Sequence, residues 1–535
     1  MPTFNDTRIR KVNAQPTNAN GQYVLYWCQM FRRLRHNHAL DYAIHTARNL
    51  KKPLVVYEGL KLNYPWASPR FHHFILEGMR DNAIAAKAMG LTYWPFVETP
   101  GHNGHGLVKS LADKASIVIT DDYPAFIVPA HNRALAKSTQ TAVHAVDGNS
   151  VVPLSLLGKV TSAAAHLRPR MHKLFAESWT HRAIAEPDVT GLAKGAIDAP
   201  FALWSPPKDI AAFVNELPLD RAVPIVPGQA GGTIAGKAVL ANFLKNKLSR
   251  YSTERSQPDS PTRNSASGLS VYLHYGHLSV DEVIDGTLNA NGKWTPEMLN
   301  LKTRNKDDFF CRDDNVNGFL DEAITWREIG FHWHYCRNLE VANAKGKNKS
   351  WAIAGKAPSF NFETMDFSPR TGGTLDCVLP EWAKATLNKH ASDKREFHYT
   401  LEQWEHGDTH DELWNAAQRE LVATGKMHNY MRMLWGKKVL EWSASPEEAY
   451  GVLEHLNNKY ATDGRDPNSY TGILWCFGLF DRPWPPEREV FGNIRYMSST
   501  NTAKKFKLAG YYDYIHTLGG KPASGKTSAR SKSLF

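Results

Sequence analysis

The stretch THDELWNAAQRELVATGKMHNYMRMLWGKKVLEW, residues 409–442, decides how the chain reads. Trp435 and Trp442 stand seven residues apart, which on a helix is about two turns and roughly 10 Å of rise along nearly one face. Trp414 lies upstream on a separate amphipathic run, and Gly425 divides the two runs. Folding them together at that glycine would stack three indoles in a row. Tryptophan, methionine and leucine at helical spacing are also the ordinary material of a core, so spacing alone leaves both readings open. The THD ahead of the first run has the make-up of a helix start, with Asp411 or Thr409 accepting the first free N–H groups. His406 and His410, four apart beside Asp408 and Asp411, imitate a metal-ligand pair. Gly407 between them argues against a regular helix there, and no metal is expected.

Working outward, the pattern stays helical from about residue 236 to 518. Upstream it changes character. From Gln22 to about Val152, short apolar runs alternate with longer amphipathic ones: YVLYW from Tyr23, PLVVY from Pro53, LTYWPF from Leu91, ASIVIT from Ala115 and AVHAV from Ala142. Strand and helix in alternation predict a parallel, doubly wound sheet. Such sheets bind ligands beyond the C-terminal ends of their strands, so the loops after Trp27, Tyr57 and Asp121 form the expected rim. Residues 186–235 turn Pro-rich and read as an inter-domain connection. The expected organisation is a flexible N-terminus (1–20), an α/β domain (21–185), the connection (186–235), an all-α domain (236–518) and a basic, disordered tail (519–535). Two polar interruptions break the helical half, RYSTERSQPDSPTRNSAS from Arg250 and ANAKGKNKSWAIAGKAPSFNFE from Ala342.

The 535 residues, 42% of them hydrophobic, suffice for two or three domains with their own cores. No apolar run is long enough to span a membrane, and MPTFNDTRIRKVNAQ lacks the apolar stretch of a secretory signal. Cys28, Cys311, Cys336, Cys377 and Cys476 are scattered without any CxxC, which fits a reducing compartment and neither a disulfide framework nor a zinc knuckle. A formal charge of +11 is what a polyanion-binding surface requires, although part of it lies in RIRK near the start and GKTSARSKS at the finish, both read as disordered.

Two stretches imitate a phosphate-binding loop. GKPASGKT, from Gly520, fits GxxxxGK[ST], but only eight residues follow Thr527, too few for the helix and sheet such a loop must join. GGTIAGKA, from Gly231, has alanine where the magnesium-binding hydroxyl belongs and reads as a helix start. GHNGHG, from Gly101, reads as a turn.

The words THDELWNAAQ, TGKMHNYMRMLWGKKVLEW, YATDGRDPNSYTGILW and FGNIRYMS, in that order and spacing, resemble the C-terminal half of class II cyclobutane pyrimidine dimer photolyases. YVLYWCQ, NHALDYAI and DGNSVVPLSLL extend the resemblance into the first half. It implies a Rossmann-like antenna domain with a parallel sheet, followed by an all-α FAD-binding domain. It also implies light-driven splitting of pyrimidine dimers in UV-damaged DNA by electron transfer from excited, reduced FAD. A second chromophore of deazaflavin or folate type is the expected antenna, its identity left open by the residues. The alternative within the same fold is a cryptochrome-like photoreceptor without repair activity. A basic helical DNA-binding protein without flavin is a further alternative. The chain is expected to be a monomer with no membrane association and no obligate protein partner. Its expected place is the cytoplasm, with the nucleoid, in a bacterial cell, or the nucleus in a eukaryotic one.

Matched position by position, the resemblance makes Trp435 the flavin-side relay, Trp414 the middle one and Trp442 the outer one. Asn457 corresponds to the residue facing flavin N5. Asp463 and Asp466 resemble flavin-contacting carboxylates, and Arg432 a cation that stabilises the anionic flavin. Tyr251, Ser267, Leu269 and Ser270 match the segment that cradles the FAD phosphates, where hydroxyls and helix-start N–H groups suit a pyrophosphate. In FLDEAITWREIGFHWHY, Glu322 and Trp326 are four apart, hence on one helix face, and match the contacts to a flipped-out dimer. Met433 and Trp475 would complete that pocket. Extruding a dimer costs less than extruding a normal base because it already pairs and stacks poorly. Lys437, Lys438, Arg482, Arg488, Arg495, Lys504, Lys505 and Lys507 are the expected phosphate contacts.

Overall fold

The computed structural model describes residues 6–195, 197–259, 264–303, 305–343, 360–361, 366–367, 375 and 378–519. Most of the second polar interruption and the GKPASGKT tail lie outside the described residues.

The alternating half forms a six-stranded sheet from β1 (Ile9–Lys11), β2 (Tyr23–Cys28), β3 (Leu54–Leu60), β4 (Thr92–Val97), β5 (Ala115–Asp121) and β6 (Val143–Val146), ordered β1-β6-β5-β2-β3-β4. Every pairing is parallel except that of β1 with β6. β2 is buried along its whole length, as expected of a central strand covered on both faces. The covering helices are α1 (His38–Leu50), α2 (Pro69–Met89), α3 (Leu107–Lys114) and α4 (Val128–Ser138), and α5 (Ala164–Thr180) follows the last strand. Asn37 opens α1 by accepting from the N–H groups of Ala39 and Leu40.

Residues 8–11 are not part of the flexible arm that the composition suggested. Arg8 is buried and donates to the carbonyls of Asp147, Ser150 and Val151, while Arg10 forms an ion pair with Asp122 at 2.6 Å. RIRK thus contributes the antiparallel edge strand, and both of its arginines are engaged within the fold. The Pro-rich connection is also docked. Phe201 packs edge-on against Tyr57, Trp94 and Phe96, and the backbone N–H of Trp204 donates to Pro95 O at 2.9 Å. Within the connection lies α6 (Ile210–Glu216).

The remaining chain is helical: α7 (Gly232–Asn246), α8 (Tyr251–Glu254), α9 (Ser270–His274), α10 (Val280–Leu288), α11 (Asp314–Leu320), α12 (Arg327–Asn343), α13 (Glu381–Lys389), α14 (Leu401–His406), α15 (Glu412–Thr424), α16 (Asn429–Trp442), α17 (Pro446–Tyr460), α18 (Pro467–Trp475), α19 (Ser499–Lys505) and α20 (Ala509–Thr517). Strands do not stop entirely, since Phe360–Asn361 and Asp366–Phe367 form a small antiparallel pair. The GGTIAGKA copy opens α7, and its amides are already taken: Gly231 N–H donates to Glu77, Gly232 N–H to His277 and Ile234 N–H to Asp81. Carboxylates at that helix start exclude a phosphate there. The two halves are bolted together by partly buried polar bonds, among them Arg168 to both oxygens of Asp321 and Tyr123 to Asp466.

Candidate active site

The α15–α16 hairpin builds the first part of the site. Asp411 accepts from Trp414 N–H at 3.0 Å and starts α15. Gly425 ends it at φ +68°, where a Cβ would stand 2.1 Å from Thr462 Oγ1, so only glycine fits this reversal. The hairpin lays Trp414 against Trp435 in a parallel stack with centres 6.4 Å apart, and sets Trp442 6.4 Å beyond Trp414 at 64°. Trp414 Nε1 donates to Trp435 O, and Trp435 Nε1 to Gln418 Oε1, which locks both rings. The expected row of three indoles is therefore a continuous contact chain. Trp442, expected at the surface, is only 3% exposed. It is enclosed by Trp404, Tyr399 and His410. His410, the imitation ligand, stacks on Phe397 and contacts Tyr399 Oη instead.

A cavity of about 360 Å³ opens beside the hairpin, within the size range of small-molecule sites. It gathers nine of the residues singled out in the sequence: Tyr251, Ser267, Leu269, Ser270, Glu322, Trp326, Arg432, Asp463 and Asp466. Arg432 is the hub on its inner side. One guanidinium nitrogen donates to Asn457 Oδ1 at 3.3 Å and the other lies 3.8 Å from Asp463 Oδ1. Asn457 is held inside the wall rather than on it, with its amide N–H on Asn458 Oδ1. Asp463 Oδ1 is buried and has no hydrogen-bond donor, so it is available to a ligand N–H or O–H. Asp466 is committed differently. It caps α18 through Asn468 N–H and accepts from Tyr123 Oη at 3.0 Å. Burial pushes its carboxyl up, but the bond from His274 and its other donors outweigh that and hold it below the usual carboxylate range. Ser267 Oγ accepts from Leu269 N–H, and Ser270 opens the five-residue α9.

The opposite wall departs from the regular helix expected around Glu322 and Trp326. Residues Asp321–Trp326 form a π-helical turn between α11 and α12. The wider turn keeps Glu322 and Trp326 on one side, and π turns recur at functional sites. Trp326 is 40% exposed, an unusual state for a large aromatic. Glu322 meets Arg255, Nη1 to Oε1 at 2.6 Å, and Arg255 in turn lies over the Tyr251 ring. Burial raises the Glu322 carboxyl above its ordinary range while Arg255 opposes the rise. Arg255 escaped the sequence reading because a lone arginine in a polar loop carries no signal of its partner. Leu273, Phe319, Ala323, Arg327, Asn468 and Ser469 complete the lining. Met433 and Trp475 are not part of it.

The expected phosphate contacts divide into two groups. Arg482, Arg488, Lys504, Lys505 and Lys507 are exposed, and Arg495 is half-buried against Asp481 and the Trp484 ring. Lys437 and Lys438 are buried. Lys437 Nζ sits 2.8 Å from Cys476 O and over the Trp475 ring, its pKa lowered by burial to about 8, and Lys438 pairs with Glu441. Neither faces solvent, because both grow from the core side of α16.

A second cavity, of about 250 Å³, lies beyond the C-terminal ends of β2 and β3, where the sequence placed the rim. Trp27, Tyr57, Tyr64 and Phe96 supply flat apolar walls, and His274 and Arg465 close it from the helical half. Arg32, ion-paired with Glu58 at 3.0 Å, also lines it, and the buried Arg32 Nε lacks an acceptor. The third rim position, Asp121, is structural. It accepts from the N–H groups of Gln29, Met30 and Phe31 and from Tyr26 Oη.

No family model matches the chain. It is 32% identical over 517 residues to a deoxyribodipyrimidine photo-lyase of Methanothermobacter thermautotrophicus, covering 96% of this chain and 98% of that protein. It is likewise 32% identical over 520 residues to a deoxyribodipyrimidine photo-lyase of Arabidopsis thaliana, covering 95% and 92%. Among solved structures, a Synechocystis cryptochrome superposes with a TM-score of 0.62 at 14% identity, covering 94% of this chain and 90% of that one, a likeness of fold.

Proposed function

The chain belongs to the photolyase/cryptochrome family, and from that premise we propose that it is a class II photolyase splitting cyclobutane pyrimidine dimers in UV-damaged DNA. One observation carries the reading. A single cavity joins the residues matched to flavin binding, Tyr251, Ser267, Ser270, Arg432 and Asp463, to those matched to lesion binding, Glu322 and Trp326. A photoreceptor has no need of the second set.

The residues present fit FAD. Asp463 Oδ1 is an unfilled acceptor, and Arg432 is a cation beside it that favours a negatively charged ring. Asn457, which the resemblance assigns to N5, stands behind the cavity wall, bonded to Arg432 and Asn458. Held by these residues, a reduced flavin would supply the excited-state electron that dimer splitting needs. The protein's own part is to hold and shield. Trp326 offers a flat surface to the extruded bases. Glu322 lines the same wall, its pKa raised by burial against the opposing charge of Arg255. Arg255 fixes the position of that carboxyl. The indole chain from Trp442 through Trp414 to Trp435 is the route by which electrons reach an oxidised flavin.

The second cavity suits an antenna of deazaflavin or folate type, with planar walls for the ring and Arg32 Nε free to donate to it. Arg482, Arg488, Lys504, Lys505 and Lys507 supply the exposed charge for the DNA backbone. A flavin extracted from the purified protein and identified as FAD, with tighter dark binding to dimer-containing than to undamaged oligonucleotide, tests the reading. A colourless protein, or one indifferent to the lesion, contradicts it.

A further inference from the structure

A fourth tryptophan, Trp404, sits inside the indole chain. It is carried by α14, which Thr400 and Gln403 open as a reciprocal cap and Gly407 closes at φ +64°. The side chain is 1% exposed. Its ring centre is 4.9 Å from that of Trp414, and 6.0 Å from that of Trp442 in a near-parallel stack of 15°. The direct Trp414–Trp442 separation is 6.4 Å at 64°. Trp404 is thus closer to each of these rings than they are to one another.

Electron transfer between rings weakens steeply with separation, so two shorter steps compete with the longer one. Two parallel rings in contact also share a positive charge, which makes the pair easier to oxidise than either ring alone. Lys438 refines the picture. Its Nζ lies 5.3 Å from the Trp442 ring centre, a contact that favours a neutral ring and opposes the same ring once it has lost an electron. Glu441 partly offsets that charge. Among the described residues no such cation–ring contact falls on Trp404.

We propose that Trp404 is a member of the relay, and that the oxidising equivalent leaving Trp414 rests on the Trp404–Trp442 stack. The inference depends on the reading that Trp435 feeds a bound flavin. Each hop moves one electron inward and one positive charge outward, with no bond made or broken. The terminal ring is refilled by one electron from an added small-molecule thiol, which loses its proton to water.

Flash photolysis of the full-length, flavin-loaded, oxidised protein tests this, following the tryptophan-radical absorption without DNA. Trp404→Phe shortens the radical lifetime several-fold. Trp442→Phe keeps a radical longer-lived than Trp414→Phe does, because Trp404 still serves as a terminus. The Trp404→Phe/Trp442→Phe double variant falls to the Trp414→Phe level. A Trp404→Phe lifetime and yield equal to the wild type overturn the proposal. Should Trp404→Phe fail to fold, a Trp442→Phe lifetime as short as that of Trp414→Phe overturns it equally. A wild type that forms no radical in light sinks the relay reading as a whole, whereas a normal wild type with an unaffected Trp404→Phe sinks only the role of Trp404.

Discussion

Arg255 and Glu322, the latter in the cavity wall, are paired guanidinium to carboxylate at 2.6 Å. One comes from a polar loop and the other from a π turn, so the contact fixes two elements that no regular geometry would bring together. It also sets the charge of the lesion-side carboxyl. Burial raises the Glu322 pKa and Arg255 restrains it, so Arg255→Ala raises it further and shifts the pH dependence of dimer binding upward. Glu322→Ala removes a charged hydrogen bond worth about 1.5–3 kcal/mol. The expected effect is a fall of about 10-fold or more in dark affinity for dimer-containing DNA relative to undamaged DNA, read by titration of the two oligonucleotides.

Trp414 is the narrow point of the electron route. Among the described residues it alone stacks on Trp435, and both Trp442 and Trp404 are reached through it. Trp414→Phe should lower the rate of flavin photoreduction by at least an order of magnitude while a chemically reduced protein retains its flavin. Absorbance of the bound flavin during illumination measures both.

Glu420 lies under the same hairpin, accepting from Tyr511 Oη at 2.7 Å and His428 N–H at 3.1 Å, and thereby ties α20 to α15. Burial raises its pKa to about 6. A carboxyl with a raised folded pKa favours the folded state fully below its unfolded value, and that contribution is lost as pH rises through about 6. The expected size is about 2 kcal/mol. Glu420→Gln keeps an oxygen for both donors and removes the ionisation, so its stability changes less between pH 4.5 and 7 than the wild type's. Denaturant melts across that range provide the test.

DNA binding should be steeply salt-dependent, and the dependence should reside in particular lysines. Removing the exposed Lys504 and Lys505 together lowers the slope of log K against log salt by about 1 for each phosphate these side chains neutralise. Lys437→Met leaves the slope unchanged, because that ammonium is buried on the carbonyls of Trp475 and Cys476. Equal effects of the two changes would mean that α16 presents its charge to DNA after all.

Local signals made much of this legible. The apolar runs became β2 to β6 because each strand is short, continuous and bounded by a helix. Asp411 and Gly425 delimit α15 through capping and φ, both local properties. What stayed hidden depends on distant partners. Nothing in RIRK announces that Arg8 will satisfy three carbonyls some 140 residues away. The π turn at Asp321–Trp326 has no side-chain signature. In LEQWEH a single tryptophan reads as part of a short polar helix, and its place between Trp414 and Trp442 emerges only from packing. Lys437 and Lys438 lie beside the two relay tryptophans of α16 in sequence, yet their burial follows from which side of that helix the core covers.

The most direct test of the central claim is repair of a thymine-dimer-containing single-stranded oligonucleotide by the purified, fully reduced protein, in blue light and in the dark. The account predicts restoration of intact thymines in the light alone. A protein that holds its flavin in the reduced state yet restores none under illumination would contradict it, and would assign the cavity of Glu322 and Arg432 to light sensing without repair.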